Sequence, residues 1–302
     1  MNTEVFKRQQ QLEPHNMQPT VVITGVSSGI GRDAVRFLSG NGYFVFGSVR
    51  SQAAKAELEA AYPENFEALV FDVTDQAAVV TAAQRVATYL GNRKLTALVN
   101  NAGIAEGGPM QLLEDERFLQ QMMVNVVGTR NVTNAFLPHL GVPTGEQERS
   151  VGLPGKIINM TSISGILNTP MNGAYCVSKH AHESLGEVYR RELFGYGIDV
   201  VSIQPGPIQS KLWDKNIGAM DRFSDSIYRS MIANTDAMMR AAERDALPAE
   251  VTSRLIDKII RARRPKIRYI VHKHKWRAWL LATLLPSRFV DRQLFKRLTR
   301  AV

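Results

Sequence analysis

Apolar runs of five to seven residues alternate with segments of helical periodicity along most of the chain. Thr20–Thr24 is a β-branched run that stops at Gly25, as a buried strand does. Ile30–Leu38 repeats its apolar positions at helical spacing and is punctuated by Gly40-Asn41-Gly42. The alternation continues with strands predicted over 43–49, 66–71, 95–99, 156–160, 198–203 and 266–271. Between them the spacing predicts helices over 51–61, 75–90, 114–140, 174–194 and 249–261, with Asp75 as an N-cap. Strands alternating with helices imply a doubly wound parallel α/β sheet of about seven strands, Rossmann-type, with right-handed crossovers and helices on both faces.

The remaining segments set the organisation. Residues 1–19 read as a flexible leader, with Pro14 and Pro19 discouraging a helix. Residues 20–272 form the main α/β unit, in which 141–155 is a Gly/Pro/Glu loop and 208–246 an irregular, Met-rich excursion. Residues 273–302 are a basic amphipathic helical extension broken at Pro286.

Composition adds three points. The apolar content of 44% suffices for a sizeable core. Cys176 is the only cysteine, so no intramolecular disulfide and no cysteine-based metal site is possible, which fits a reducing, cytoplasmic setting. The net charge of +9 is uneven: from Arg254 onward 15 Lys and Arg face only Asp257 and Asp291, while the rest of the chain is mildly acidic. That asymmetry suggests an anionic partner such as a membrane surface, or a solvated cationic face. No nucleic-acid-reading module accompanies it. No apolar run approaches the ~20 residues of a membrane span, and His272 and His274 lack the neighbouring carboxylates that a metal site needs.

Candidate chemistry collects where strands end. Gly25 follows the first strand, Asp72 the third, Asn100 the fourth, Ser162 the fifth and Pro205 the sixth. In parallel sheets these carboxyl ends are where ligands bind. Thr24-Gly25-Val26-Ser27-Ser28-Gly29-Ile30-Gly31 joins the first strand to the first helix. Its glycines let a diphosphate approach the free N–H groups and dipole of a helix start. The second strand ends at Arg50 without a carboxylate. Arg50, with Ser27 or Ser51, fits the 2′-phosphate of NADP(H), and NAD(H) is the alternative if Arg50 only opens a helix. Tyr175 and Lys179 lie one helical turn apart, which makes a usable acid/base pair inside a cleft; on a solvated face it would be decoration.

Jointly these motifs resemble the short-chain dehydrogenase/reductase family, in its compact single-domain branch. The likeness rests on the Thr24–Gly31 loop, Asp72, Asn100-Asn101-Ala102-Gly103, Asn125, Ser162 with Tyr175 13 residues on, Lys179 and Pro205-Gly206. It covers residues 20–208 well and continues loosely to 272. The resemblance implies Tyr175 as general acid or base and Ser162 as hydrogen-bond donor to the substrate oxygen. It implies Lys179 as the residue that depresses the tyrosine pKa and binds the nicotinamide ribose, and Asn125 as holder of a relay water. Asp72 and Val73 would flank the adenine, and Asn100, Ala102 and Gly103 would lie under the adenosine ribose. Pro205, Gly206, Ile208 and Ser210 would hold the nicotinamide; serine stands at 210 where the family often has threonine. Gly25, Ser27, Ser28, Gly29, Ile30, Gly31 and Arg50 complete the cofactor shell.

The implied activity is alcohol/ketone interconversion with NADP(H). The lid residues Leu212, Trp213, Ile217, Met220, Phe223, Ile227, Met231, Met238 and Met239 suit a lipophilic substrate. The Gly173-Ala174-Tyr175-Cys176 stretch is similar to that of hydroxysteroid and retinol dehydrogenases. The family implies a homodimer or homotetramer pairing helices 114–140 and 174–194. The tail suits a peripheral membrane contact or packing on the domain. A dinucleotide-binding regulator or scaffold with weak catalysis is the competing reading.

Overall fold

The computed structural model describes residues 18–143, 153–210, 218–276, 279–280 and 284–299. The leader before 18, the central part of the 141–155 loop, and Leu212, Trp213 and Ile217 of the lid lie outside the described residues.

Seven strands form one parallel sheet: β1 (Thr20–Ile23), β2 (Phe44–Val49), β3 (Phe66–Val70), β4 (Ala97–Asn100), β5 (Lys156–Met160), β6 (Asp199–Pro205) and β7 (Arg268–Val271). Their order is β3-β2-β1-β4-β5-β6-β7. The order reverses between β1 and β4, which pair from Val21↔Ala97 to Ile23↔Val99. The crevice above that switch point is the expected ligand site. All four residues of β1 and of β4 are buried, which is why their sequences read as apolar runs without alternation.

The helices are α1 (Gly29–Ser39), α2 (Gln52–Ala61), α3 (Gln76–Leu90), α4 (Asp115–Met122), α5 (Thr129–Leu140), α6 (Gly173–Glu192), α7 (Arg229–Arg244), α8 (Ala249–Arg261) and α9 (Ser287–Thr299). Caps set several starts. Asp75 accepts a hydrogen bond from the Ala78 N–H and Ser51 one from the Ala54 N–H, satisfying first-turn donors. One face of the sheet packs Val21, Ile23, Val45 and Val201 against Val35 and Leu38 of α1 and Ile256, Ile259 and Ile260 of α8. The other face packs Val22, Phe46, Leu98 and Ile157 against Val86 of α3, Phe136 and Leu140 of α5 and Tyr189 of α6.

Two findings refine the sequence reading. The segment read as one helix over 114–140 is interrupted by a π-helical turn at Met123–Gly128, with Asn125 buried inside it. Such turns concentrate at functional sites. The described helix of the C-terminal extension packs on α7. On α9, Val290 and Leu298 are buried, and Asn234 of α7 donates from Nδ2 to the Leu298 carbonyl at 2.9 Å.

Candidate active site

The glycine loop crosses the carboxyl end of β1. Gly25 (φ 70°) and Gly29 (φ 58°) sit in the left-handed region that other residues seldom enter. A side-chain carbon at Gly31 would stand 2.4 Å from the Gly25 carbonyl oxygen, so the loop can close only over hydrogen. Two residues that the sequence reading did not place in the site hold this shape. Asn101 donates from Nδ2 to the carbonyls of Thr24 (2.8 Å) and Gly25 (3.0 Å). The Ser48 hydroxyl accepts from the Gly25 N–H at 2.9 Å. Thr24 completes the clamp, its hydroxyl accepting from the N–H groups of Asn101 and Ala102. Asn101 stood within the quoted Asn-Asn-Ala-Gly motif; its second amide was the signal.

A dinucleotide fits this cradle. Ser28 caps α1 in an extended conformation without a side-chain hydrogen bond into the helix, so its hydroxyl does not occupy the first-turn amides. Ser27 and Arg50 are exposed at the mouth. Arg50 makes no ion pair among the described residues, which leaves its guanidinium for an incoming anion. Ser210 folds over the loop: its Cβ would lie 3.1 Å from a side-chain carbon at Gly29.

Several cofactor-shell residues turn their side chains away from the crevice. Asn100 is buried and donates from Nδ2 to Thr133 (3.0 Å) and Asn159 (2.9 Å), which fastens β4 to β5 and α5. Its Nδ2 is spent on the sheet, while its Oδ1 is buried without a hydrogen-bond partner among the described residues. Val73 packs in the core, against the position where a Gly128 side chain would sit. Ile208 is likewise a core residue, held beside Leu247 by the Gln209 N–H to Leu247 carbonyl bond. Asp72 spends one oxygen on the Thr74 N–H and hydroxyl. Gly103 lies close to the reactive-looking groups: a carbon there would lie 3.2 Å from Asn125 Oδ1 and 3.6 Å from Lys179 Nζ.

The reactive-looking groups converge beside β5. Ser162 follows that strand; its hydroxyl accepts from the Ser164 N–H at 3.0 Å and reaches the Pro205 carbonyl at 3.4 Å. Tyr175 and Lys179 project from the first turns of α6, with Nζ 5.6 Å from the tyrosine ring centroid. Lys179 is buried and donates to the Met160 carbonyl at 2.9 Å. Asn125 Oδ1 accepts from the Ile104 N–H, and Nδ2 donates to the Ile104 carbonyl and the Ser178 hydroxyl, all at 2.9 Å. That side chain therefore braces the 104 loop against α6.

Burial dominates the electrostatics of the pair. Burial pushes the Tyr175 phenol up to about 12, with the Ser162 hydroxyl pulling the other way. Burial brings the Lys179 ammonium down to about 8, with Glu183 opposing it. In this state desolvation outweighs any depression of the tyrosine by its lysine. Cys176, next to Tyr175, is buried against Thr169 and the Leu167 carbonyl and takes a packing role.

The comparisons agree with this geometry. The short chain dehydrogenase family model matches residues 19–220. The chain is 36% identical over 279 residues to the "NADPH-dependent 3-dehydrocapnine reductase" of Ornithobacterium rhinotracheale, covering 92% of this chain and 97% of that protein. It is 31% identical over 258 residues to the "3-ketodihydrosphingosine reductase" of Bacteroides thetaiotaomicron, covering 83% and 87%. A short chain dehydrogenase/reductase from Burkholderia phymatum, solved with NAD, superposes with a TM-score of 0.73 at 22% identity, covering 93% of this chain and 97% of that one. The chain belongs to the short-chain dehydrogenase family and is an NAD(P)-dependent oxidoreductase.

Proposed function

We propose that the protein is an NADPH-dependent reductase of a lipid-like ketone, with NADH as a weaker alternative. One observation carries the reading: half-buried Tyr175, buried Lys179 and the Ser162 hydroxyl converge at the end of β5, beside a glycine loop built for a diphosphate. The bound dinucleotide supplies the hydride. Tyr175 holds its proton at neutral pH, since burial keeps the phenol near 12, and so suits donation to a carbonyl oxygen. As a C–H bond forms at the carbonyl carbon, the C=O π pair moves to oxygen and takes the phenolic proton. Ser162 donates a hydrogen bond to that oxygen as charge develops. Lys179, as an ammonium, stabilises the phenolate left behind and would hold the nicotinamide ribose hydroxyls. The exposed guanidinium of Arg50 supports preference for the 2′-phosphate.

The substrate class is supported from the lid side. Met171, Met220, Phe223 and Ile232 form a small apolar cluster, with Met231 and Met239 at its margin. An apolar groove of about 480 Å³ runs between Thr169-Pro170, Met231 and Leu294-Phe295. Two relatives are, by name, reductases of 3-dehydrocapnine and of 3-ketodihydrosphingosine. The test follows NADPH absorbance with 3-ketodihydrosphingosine and with acetoin. Each buried methylene contributes about 0.8 kcal/mol, so even three favour the long chain roughly fiftyfold in kcat/KM. Equal kcat/KM for both removes the lipid assignment. NADPH binding without turnover of either substrate would point to the scaffold reading.

A peripheral lipid contact belongs to the same proposal. At 100° per residue the outward arc of α9 carries Arg288, Phe289, Arg292, Phe295 and Lys296, all exposed, opposite the docked Val290 and Leu298. Two phenyl rings among three cations suit an anionic interface. Among the described residues no helix is long and apolar enough to cross a membrane. The full chain should float with phosphatidylglycerol vesicles, and the Arg288→Glu, Arg292→Glu, Lys296→Glu triple variant should sediment. Sedimentation of both ends the idea.

A further inference from the structure

We propose that Glu183 is a positioning residue for this site: its buried side chain holds Lys179 as an ammonium and ties the strand end bearing Ser162 to the helix bearing Tyr175. The inference rests on the reductase reading, and its test is arranged so that the two can fail separately.

Spacing comes first. Tyr175, Lys179 and Glu183 follow one another at four-residue intervals, so they form a ladder down one face of α6. The three lie in turn at the cleft, behind it, and beneath it against the sheet. Glu183 is 7% exposed, and a carboxylate that deep requires partners. It has three, one from the turn after β5 and one each from β6 and β7. The Thr161 hydroxyl, next to Ser162 in sequence, is positioned to donate to Oε1 and also lies 2.9 Å from the Ile203 carbonyl. Gln204 of β6 donates to the same oxygen at 3.0 Å, immediately before Pro205, whose carbonyl Ser162 approaches. Arg268 of β7 pairs with Oε2 at 3.3 Å. One carboxylate therefore fastens the ends of β5, β6 and β7 to α6.

Packing leaves little room for another arrangement. The short turn after Ser162 presses on this stretch of helix: a side-chain carbon at Gly165 would lie 3.0 Å from both Glu183 Cγ and the Lys179 carbonyl. Moving Glu183 would move the turn that starts at Ser162.

Charge gives the second half. Among the described residues Lys179 has one hydrogen-bond acceptor, the neutral Met160 carbonyl. Burial drives it toward the free amine, and Glu183 is the group that opposes this. The other ionisable groups around the pair do not replace it. Tyr175 stays neutral, and burial with the charge of Lys179 holds His182 well below its usual range. Glu187, one turn further, is committed to Arg190, Arg191 and Arg268. β5 and β6 present the neutral Thr161 and Gln204, the π-turn presents Asn125, and Arg268 adds a like charge. The mechanism above needs the ammonium, so the working range ends where Lys179 loses its proton as pH rises.

The experiment pairs Glu183→Gln with Arg268→Gln in the full chain. Two readouts are taken: the pH profile of kcat/KM with NADPH, and the titration of the Lys179 ¹³Cε resonance in lysine-labelled protein, assigned by loss of the signal in Lys179→Met. Glu183→Gln should weaken proton binding at Lys179 by about tenfold or more, moving the titration midpoint and the alkaline limb down together by about one unit. Below the limb its kcat/KM should return to within about threefold of the unmodified enzyme. Arg268→Gln should move both upward. The proposal is overturned if Glu183→Gln lowers kcat/KM by one factor at every pH, or leaves the Lys179 midpoint in place. If Glu183→Gln does not fold, Arg268→Gln decides: a midpoint that stays or falls rejects the proposal. An unmodified enzyme without turnover would reject the reductase reading, while the resonance titration would still decide the role of Glu183.

Discussion

Around the glycine loop the close contacts are of backbone against backbone, braced by Asn101, Ser48 and Thr24. On the lid and tail the contacts are of flexible side chains, and much of the apolar surface faces water: Ile227 is 86% exposed and Phe295 58%. Under the proposed function the first region would take the diphosphate, a fixed group, and the second would meet the substrate. A backbone cradle tolerates almost no substitution, whereas a Met- and Phe-lined surface can be re-cut without disturbing the sheet.

Substitutions along the cleft test that division, and the largest effect is expected where the two regions meet. Tyr175→Phe removes the proton donor while keeping the ring, and should lower kcat by roughly 10²–10⁴-fold with NADPH binding retained. Turnover that survives the change would break the mechanism. Gly31→Val should be nearly as damaging for a different reason. The added carbons collide with the Gly25 carbonyl, and overpacking against backbone costs about 3 kcal/mol, roughly a hundredfold in NADPH Kd. Tight NADPH binding by Gly31→Val in fluorescence titration would contradict the rigid-cradle picture.

Arg50→Asp sharpens the contrast within the first region. A charge-assisted hydrogen bond contributes about 1.5–3 kcal/mol, so NADPH Kd should rise roughly ten- to a hundredfold while NADH changes little. Equal changes for both would take Arg50 out of cofactor choice.

This division also explains what was legible in the sequence. β5 and α8 fall on the predicted residues, because a buried parallel strand and an amphipathic helix each leave a periodicity that tertiary context cannot hide. The glycine loop was legible because only glycine satisfies its backbone angles. The π-turn was not, since Met-Val-Asn-Val-Val-Gly has no composition that separates it from an ordinary helix. Asn100, Val73 and Ile208 were assigned to the cofactor by position, and position alone does not reveal whether a side chain faces the crevice or the core. Glu183 was not singled out in the sequence, because its partners Thr161, Gln204 and Arg268 come from the turn after β5 and from β6 and β7, and only the fold brings those together.

The smallest effect is expected at the seam between lid and tail. Asn234 donates to the Leu298 carbonyl, the last turn of α9, and to the Ser230 carbonyl in its own helix. Asn234→Ala deletes both bonds at a buried position but leaves the sheet and the glycine loop intact. The expected loss is about 1 kcal/mol, a few degrees in Tm for a chain of this size. NADPH affinity should stay within about twofold, because nothing in the cradle depends on α9. If the long-chain ketone binds along the groove that Leu294, Phe295 and Leu298 share with Met231, its KM should rise while that of a short ketone stays put. A KM that rises equally for both would mean that α9 supports the whole cleft, and the separation between an invariant cradle and an adaptable lid would no longer hold.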